Sequence, residues 1–390
     1  MKVLFVSDFD TENPGLRSGV PFFIGKALKE VGINYRVLQV TDKRTLWQRL
    51  QSRVKQGLCS AGIWHGFYDA GYSAATAKSY KKCWLKVDFS AFDLVISISP
   101  RTVAFLPPVT RLAIWIDNTF DTYAMYPGRE GICRQTFAEA LQVEKLAFIR
   151  ATQVYTASSW LAGRLPNTHG LSTEKIRVMP RGSSLQQPPG ISGVRQSIAG
   201  RIQDGICRLL FVNSGKWLVG RKGGQLVVET FKRLKKDMQV SLVVIGDVPD
   251  EVRTSLEEEG VQCPGTINKA GENGEARYIE VLLESHFLFV PSIADGFGIV
   301  YAEAASCGLP SIAKAIMGVS EAVQEGITGR LLPAEANAGD FASLIKDQWK
   351  DKESYIALCH SAYAYAQEHF SWQKNVASIV EDMNQEIFPK

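Results

Sequence analysis

Residues 209–236 read LLFVNSGKWLVGRKGGQLVVETFKRLKK: an apolar run, a glycine-bearing loop and an amphipathic segment, in that order. The run does not alternate with polar residues, which suits a parallel strand covered on both faces. It ends near Asn213, and Leu226, Phe231 and Leu234 then mark the buried face of a helix. Strand, loop and helix in succession make half of a βαβ unit. The rest of the chain repeats that unit. Before it come KVLFVS, INYRVLQV, DLVISIS, RLAIWI, TQVYTA and KIRVMP; after its own RLLFVN the second half adds QVSLVVIG, SHFLFVPS, PSIAKA and GRLLP. Strands alternating with helical patterns predict doubly wound sheets. The pattern restarts near residue 208, after RGSSLQQPPGISGVRQSIAGRIQDG (181–205), a Gly/Pro/Ser-bearing stretch that reads as a linker between domains. The expected architecture is α/β, with two Rossmann-like domains over residues 1–190 and 205–371 and a cleft between them.

The totals agree with two domains. A chain of 390 residues exceeds one ordinary core, and 45% hydrophobic with 22% charged residues is a soluble globular composition. No run of about 18 apolar residues occurs, so no membrane-spanning helix is expected. The opening MKVLFVSDFD turns acidic at once, unlike a secretory signal. Seven cysteines (Cys59, Cys83, Cys133, Cys207, Cys263, Cys307 and Cys359) are scattered and never form a CxxC pair. That fits a reducing compartment and argues against a zinc site. The expected location is cytoplasmic, extending to peripheral placement at the inner face of the membrane.

Charge divides the chain unevenly. Residues 1–180 carry 23 basic against 14 acidic residues, a balance of +9, and the remainder a balance of −5. Residues 43–90 break the strand–helix rhythm: KRTLWQRLQSRVKQG reads as a basic amphipathic helix and KSYKKCWLKVD mixes lysines with aromatics. An anionic membrane surface or an acceptor would suit such a segment. The expectation, however, is a helix that packs its Leu and Trp face on the first sheet and leaves its lysines solvated. No nucleic-acid partner is expected.

Ligands of open α/β sheets bind beyond the C-terminal ends of strands, so the strand-to-helix turns are the candidate sites. The first, SDFDTENPGLRSGVPFFIGKALKEVG, places Gly15, Gly19 and Pro21 ahead of a helix. It lacks the G-x-G-x-x-G spacing of a dinucleotide fold. The second, already quoted, gathers Lys216, Arg221 and Lys222 at the start of a helix. Cations there oppose the helix dipole, and a bound diphosphate would resolve the conflict. The third is PSIADGFGIVYAEAASCGLP (291–310), with Asp295 at a glycine-rich turn and Glu303 in an apolar helical run. An acid at the turn, a second acid deeper, and free N–H groups of residues 296–299 between them suit a polyol such as a sugar.

From Asp295 and Glu303 onward the chain resembles the retaining glycosyltransferases of family 4, which have the GT-B fold. The acid-x7-acid block continues into SCGLPSIAKAIMGVSEAVQEGITGRLLP (306–333), similar to the family's E-A-x-x-x-G-x-P and G-x-x-E-x-V-x-x-G-x-x-G-x-L segments. TASSWLAGRL, IRVMPRG, the basic loop at 216–222 and the late HFSWQ add to the resemblance, which runs almost end to end. It implies a sugar nucleotide as donor, a UDP- or GDP-sugar, with Glu303 on the ribose hydroxyls. Asp295 and the N–H groups of Gly296, Phe297, Gly298 and Ile299 would hold the transferred sugar, with Val300 beside them. Lys216 and Lys222, joined by Arg221, would hold the diphosphate, approached also by Gly19; Gly246 and Ile267 complete the implied donor site. Residues after about 372 would cross back to complete the first domain. The acceptor would be a saccharide, lipid-linked or protein hydroxyl, in polysaccharide, glycan or glycolipid biosynthesis, reached in a closing interdomain cleft. Diphosphate charge is met by lysines and helix N-termini, so no metal and no cofactor are expected. Two departures stand out. Asp295 replaces the family's usual Glu, and the loop WIDNTFDTYAMYPG lacks the histidine many members place there, leaving Asp117 as the nearest polar candidate. A nucleotide-sugar epimerase or a sugar phosphorylase is the other enzyme reading of this architecture, and a two-lobed sugar-binding protein the non-enzyme one.

Overall fold

The computed structural model describes residues 1–109, 111–213 and 220–385. It divides into two compact units: Met1–Met179 with the chain from Trp372 onward, and Pro180–Ser371.

The first unit is built on β1 (Lys2–Ser7), β2 (Asn34–Gln39), β3 (Leu94–Ser97), β4 (Leu112–Ile116), β5 (Gln153–Thr156) and β6 (Ile176–Val178). They form one sheet in the order β2-β1-β3-β4-β5-β6, with every neighbouring pair parallel. The inner strands β3, β4 and β5 are buried at every residue, while the edge strand β2 is largely open, as two-face coverage requires. Leu4, Val6, Val95, Ile114 and Val154 pack against Val143, Ala147 and Phe148 of the helix Arg134–Arg150 and Leu161 and Leu165 of the helix Ser159–His169. The helix Trp372–Gln385 also belongs to this unit. Its Trp372 stacks on Phe23 of helix α1 (Val20–Glu30) at 6.2 Å and meets Trp115 edge-on at 5.4 Å.

The basic segment departs from expectation. Helix α2 (Leu46–Ser60) does form, and a capping box fixes its start: Thr45 Oγ1 accepts the Gln48 N–H, and Gln48 Oε1 accepts the Thr45 N–H. Yet its Leu and Trp residues do not pack on the sheet. Leu46, Trp47, Leu50 and Val54 are all exposed, and Ser52 is the one buried residue of the helix. Polar contacts hold the helix instead, with Lys55 Nζ 2.5 Å from Glu139 Oε1 and the Arg44 guanidinium 3.0 Å from Ser52 Oγ.

The second unit has β7 (Cys207–Val212), β8 (Val240–Ile245), β9 (Gln262–Gly265), β10 (Phe287–Phe289), β11 (Ser311–Lys314) and β12 (Gly329–Leu332). Their order, β12-β11-β10-β7-β8-β9, is again all parallel. The chain winds outward from β7 to β9 and then returns to β10 on the other flank. Strand order therefore reverses between β7 and β10, and the loops after these two strands border the switch point.

The stretch 181–205 is not a linker. Residues 180–206 belong to the second unit, and the helix Ile191–Arg201 buries Val194, Ile198 and Arg201. The Arg201 guanidinium donates to the carbonyls of Ser285 (2.7 Å) and Gly308 (2.6 Å). A charge so buried is tolerated only with such partners, and here they stitch this helix to two others. The boundary accordingly falls at 179/180, before the glycines and prolines that suggested it.

Candidate functional site

At the switch point of the second unit, two loops are sewn together. The Ile293 N–H donates to Arg221 O at 2.8 Å, and the Arg221 guanidinium donates to Ala294 O at 3.2 Å. Gly223, with φ +77°, makes this approach possible: a Cβ there would sit 2.3 Å from Pro291 O. Gly223 also caps the helix Gly224–Leu234, so Arg221 and Lys222 end the loop from β7 just before that helix begins.

Asp295 receives both cations. Its Oδ2 lies 2.5 Å from Lys222 Nζ and 3.5 Å from the Arg221 guanidinium. Asp295 is 8% exposed and Lys222 5%. Burial pushes the Asp295 carboxyl up, but Lys222, Arg221 and the Phe297 N–H outweigh it and hold the group below its usual range. Burial pushes the Lys222 ammonium down, with Arg221 adding to the effect, while Asp295 and then Glu303 oppose it. The conflict between cations and helix dipole is thus met by an acid from the neighbouring loop. Lys216, the third expected cation, lies outside the described residues.

Gly298 is the N-cap of the helix Ile299–Ser306 in a left-handed conformation, φ +85°, where a Cβ would meet the Tyr301 ring at 2.5 Å. The Phe297 N–H faces the Asp295 carboxylate, and Ile299 and Val300 open the helix, where the first N–H groups have no intrahelical acceptor.

Glu303 is 3% exposed, one turn into the same helix. Lys269 Nζ bonds its Oε1, and the Tyr278 hydroxyl donates to its Oε2 at 2.9 Å. Burial, then the Glu303 charge, raises the Tyr278 phenol well above its ordinary range, so it remains a hydrogen-bond donor. Sequence reasoning missed both partners. Lys269 lies in the loop that follows β9, a strand with no apolar run to announce it, and Tyr278 reads simply as a buried aromatic of the helix Gly274–Glu284. Of the remaining expected residues, Gly246 follows β8 and half-buried Ile267 follows β9. A cavity of 1390 Å³ in this unit is bordered by Lys269, Glu275 and Arg201 but not by Asp295, Lys222 or Glu303.

Gly19 and Asp117 belong to the first unit. Gly19 caps α1 with φ +78°, and half-buried Asp117 directly follows β4. At the end of β1, Asp8 pairs with Arg101 at 2.7 Å and Asp10 accepts the Glu12 N–H at 2.9 Å. The loop after β4 is fastened from below: the Glu144 carboxylate accepts the Phe120 N–H and faces His169 Nε2 at 3.0 Å, and Asp121 pairs with Arg164 at 2.9 Å. Among the described residues, Asp121, Glu144 and His169 are one group whose ligand atoms lie within 4.8 Å of each other. Their oxygens already accept protein donors, which suits a brace rather than a metal centre. His169 is buried in that brace and does not replace the histidine missing from the loop.

Comparison with known proteins places these units. Residues 209–369 match the family model for glycosyl transferases group 1. A D-inositol 3-phosphate glycosyltransferase of Paenarthrobacter aurescens (strain TC1) is 24% identical over 232 residues, covering 58% of this chain and 55% of the relative. The chain thus spans about half the length of that curated relative. Among solved structures, Anabaena Alr3699/HepE in complex with UDP and glucose superposes with a TM-score of 0.62 at 16% identity, over 99% of this chain and all of that one. Sucrose-phosphate synthase from Thermosynechococcus elongatus gives a TM-score of 0.68 at 18% identity, over 99% of both chains. Residues 209–369 of this protein are therefore similar to the glycosyl transferases group 1 family, within a chain that has the GT-B fold.

Proposed function

We propose that the protein transfers a sugar from a nucleotide-sugar donor, a UDP- or GDP-sugar, to an acceptor hydroxyl with retention of anomeric configuration. One observation carries the reading. Two buried carboxylates, Asp295 and Glu303, flank the first turn of one helix at the switch point of the group 1-like unit, each already held by cationic or hydroxyl donors. A nucleotide sugar offers matching groups: hydroxyls for the carboxylates and a diphosphate for Lys222 and Arg221. In this reading Glu303 accepts from the ribose, and Lys269 and Tyr278 keep its carboxylate aimed. Asp295 and the N–H groups of Ile299 and Val300 face the transferred sugar. Lys222 and Arg221 stabilise charge as it develops on the departing diphosphate. The complexes of Anabaena HepE with UDP and with UDP-glucose support such a donor. The acceptor is a saccharide, lipid-linked or protein hydroxyl, and the basic first half makes peripheral contact with an anionic membrane surface.

The test is a panel of sugar nucleotides assayed for free nucleoside diphosphate, alongside thermal shifts with UDP, GDP and ADP. A transferase releases nucleoside diphosphate from one donor as glycosylated acceptor accumulates. A binding protein shows the thermal shift without release, and a sugar phosphorylase releases sugar phosphate instead. Because protein cations meet the diphosphate, transfer is expected to survive EDTA. Full loss on chelation, restored by magnesium or manganese, would overturn that part of the proposal.

A further inference from the structure

Helix α2 wears its amphipathic pattern inside out. The side that meets the fold is polar: Ser52 bonds Gln48 O and Arg44, and Lys55 reaches both Glu139 and the Tyr68 hydroxyl. The side that meets solvent is apolar. Leu46 is 88% exposed, Trp47 66%, Leu50 49% and Val54 57%. At about 100° per residue these four share one arc of about 100°, centred opposite Ser52, with Arg49 and Arg53 along one border. Single exposed apolar residues are commonplace, but a continuous stripe facing water marks a surface that something covers.

Charge names the occupant. Residues 43–86 hold nine Lys and Arg and one acid, Asp69, so this segment accounts for nearly all of the +9 on residues 1–180. The lysine-bearing turn adjoins the start of α2, since Lys82 Nζ donates to Lys43 O at 3.1 Å and Ser79 Oγ accepts the Lys43 N–H at 3.1 Å. Nearby Leu85 is exposed as well, at 82%. A second copy of this chain would set cations against cations. An anionic bilayer offers phosphates for the rim and hydrocarbon for the stripe. No helix among the described residues is long and apolar enough to cross a membrane, so α2 would lie along the surface.

We propose that α2 is an interfacial anchor that lays Leu46, Trp47, Leu50 and Val54 into the headgroup–acyl boundary of an anionic bilayer, with Arg49, Arg53 and the neighbouring lysines on lipid phosphates. This rests on the membrane contact proposed above and adds insertion to it.

The test uses the full chain with vesicles of phosphatidylcholine, with and without phosphatidylglycerol, some carrying brominated acyl chains. The protein sediments with the anionic vesicles, and brominated chains quench part of its tryptophan emission. Trp47→Phe abolishes that quenching while binding persists. Replacing Leu46, Trp47, Leu50 and Val54 together by Ser lowers the bound fraction by roughly tenfold and leaves the nucleotide thermal shift unchanged. Binding that is salt-sensitive but undiminished in this variant, with no quenching of Trp47, would overturn insertion and leave the charge contact standing. Absence of binding to either vesicle would overturn both. A solution oligomer that the same substitutions dissolve would overturn the anchor in favour of a protein partner. Should the fourfold variant misfold, quenching of Trp47 in the wild-type chain decides alone.

Discussion

Lys222 and Asp295 occupy a place where neither charge would be tolerated alone, and on the proposed reading this couples stability to binding at a single pair. Asp295→Asn leaves a buried ammonium without its counter-charge, a loss of about 3–5 kcal/mol for a pair of this kind. A nucleoside diphosphate brings its own negative charge to Lys222. It is therefore expected to bind the Asp295→Asn variant at least as well as wild type and to raise its melting temperature by more, while kcat falls because, on the proposed reading, the transferred sugar has lost its partner. Glu303→Gln keeps an acceptor for Tyr278 but gives up the charge that Lys269 addresses and that, on the proposed reading, the ribose would address too. Its expected cost is about 1.5–3 kcal/mol in nucleoside diphosphate affinity, with a parallel rise in donor KM. Calorimetry with the diphosphate and steady-state kinetics on both variants check this. Loss of diphosphate binding in Asp295→Asn together with its retention in Glu303→Gln would reverse the assigned roles. Both acids were legible in the sequence because each breaks its local pattern, one beside Gly-Phe-Gly and one in an alanine-rich run. What was not legible is that each arrives already partnered, since Lys222 and Lys269 stand 73 and 34 positions away from their acids.

Between β10 and the helix Ile191–Arg201, a neutral histidine serves as mortar. His286 Nδ1 accepts the Arg208 N–H at 2.8 Å, which leaves Nε2 to donate to Arg201 O at 2.5 Å. Burial, aided by the Arg201 and Arg208 charges, lowers its pKa to about 3. The folded state therefore resists protonation where the unfolded chain does not. Stability from this residue is fully present above about pH 6.5 and is lost as pH falls toward 3, because the unfolded chain then binds the extra proton. Melting temperatures from pH 7.5 to 4.5 should decline, and a His286→Gln variant, less stable at neutral pH, should decline less steeply. Parallel curves for the two proteins would show that other groups set the slope. At this scale the strands were readable wherever both faces are covered. The miss was β9, whose Gln262-Cys263-Pro264-Gly265 carries no apolar run, because an edge strand needs none and tolerates the proline. Helix α2 shows the complementary limit. Periodicity revealed that it has an apolar face, but the contacts of Lys55 with Glu139 and of Arg44 with Ser52 decide which way that face points.

For the molecule as a whole, the two units were visible as a pattern that restarts, while their seams were not. Glycines and prolines at 181–205 suggested a flexible joint, yet the buried contacts of Arg201 draw that stretch into the second unit. The second unit is continuous in the chain, and its ends meet, with the Ser183 N–H donating to Phe370 O at 2.8 Å. The first is interrupted: Trp372, seated against Phe23 and Trp115, is separated from them by the entire second unit. During synthesis, then, the part made first is the part finished last. The ribosome completes residues 180–371 while the rings of Phe23 and Trp115 still await Trp372, so the nascent first unit must keep an apolar socket uncovered until Trp372 and its helix emerge. A chain halted at Ser371, lacking 19 of 390 residues, is accordingly expected to aggregate, whereas residues 180–371 expressed alone should be soluble and melt cooperatively. A halted chain that proved as soluble and stable as the full one would show that the socket closes without its last piece.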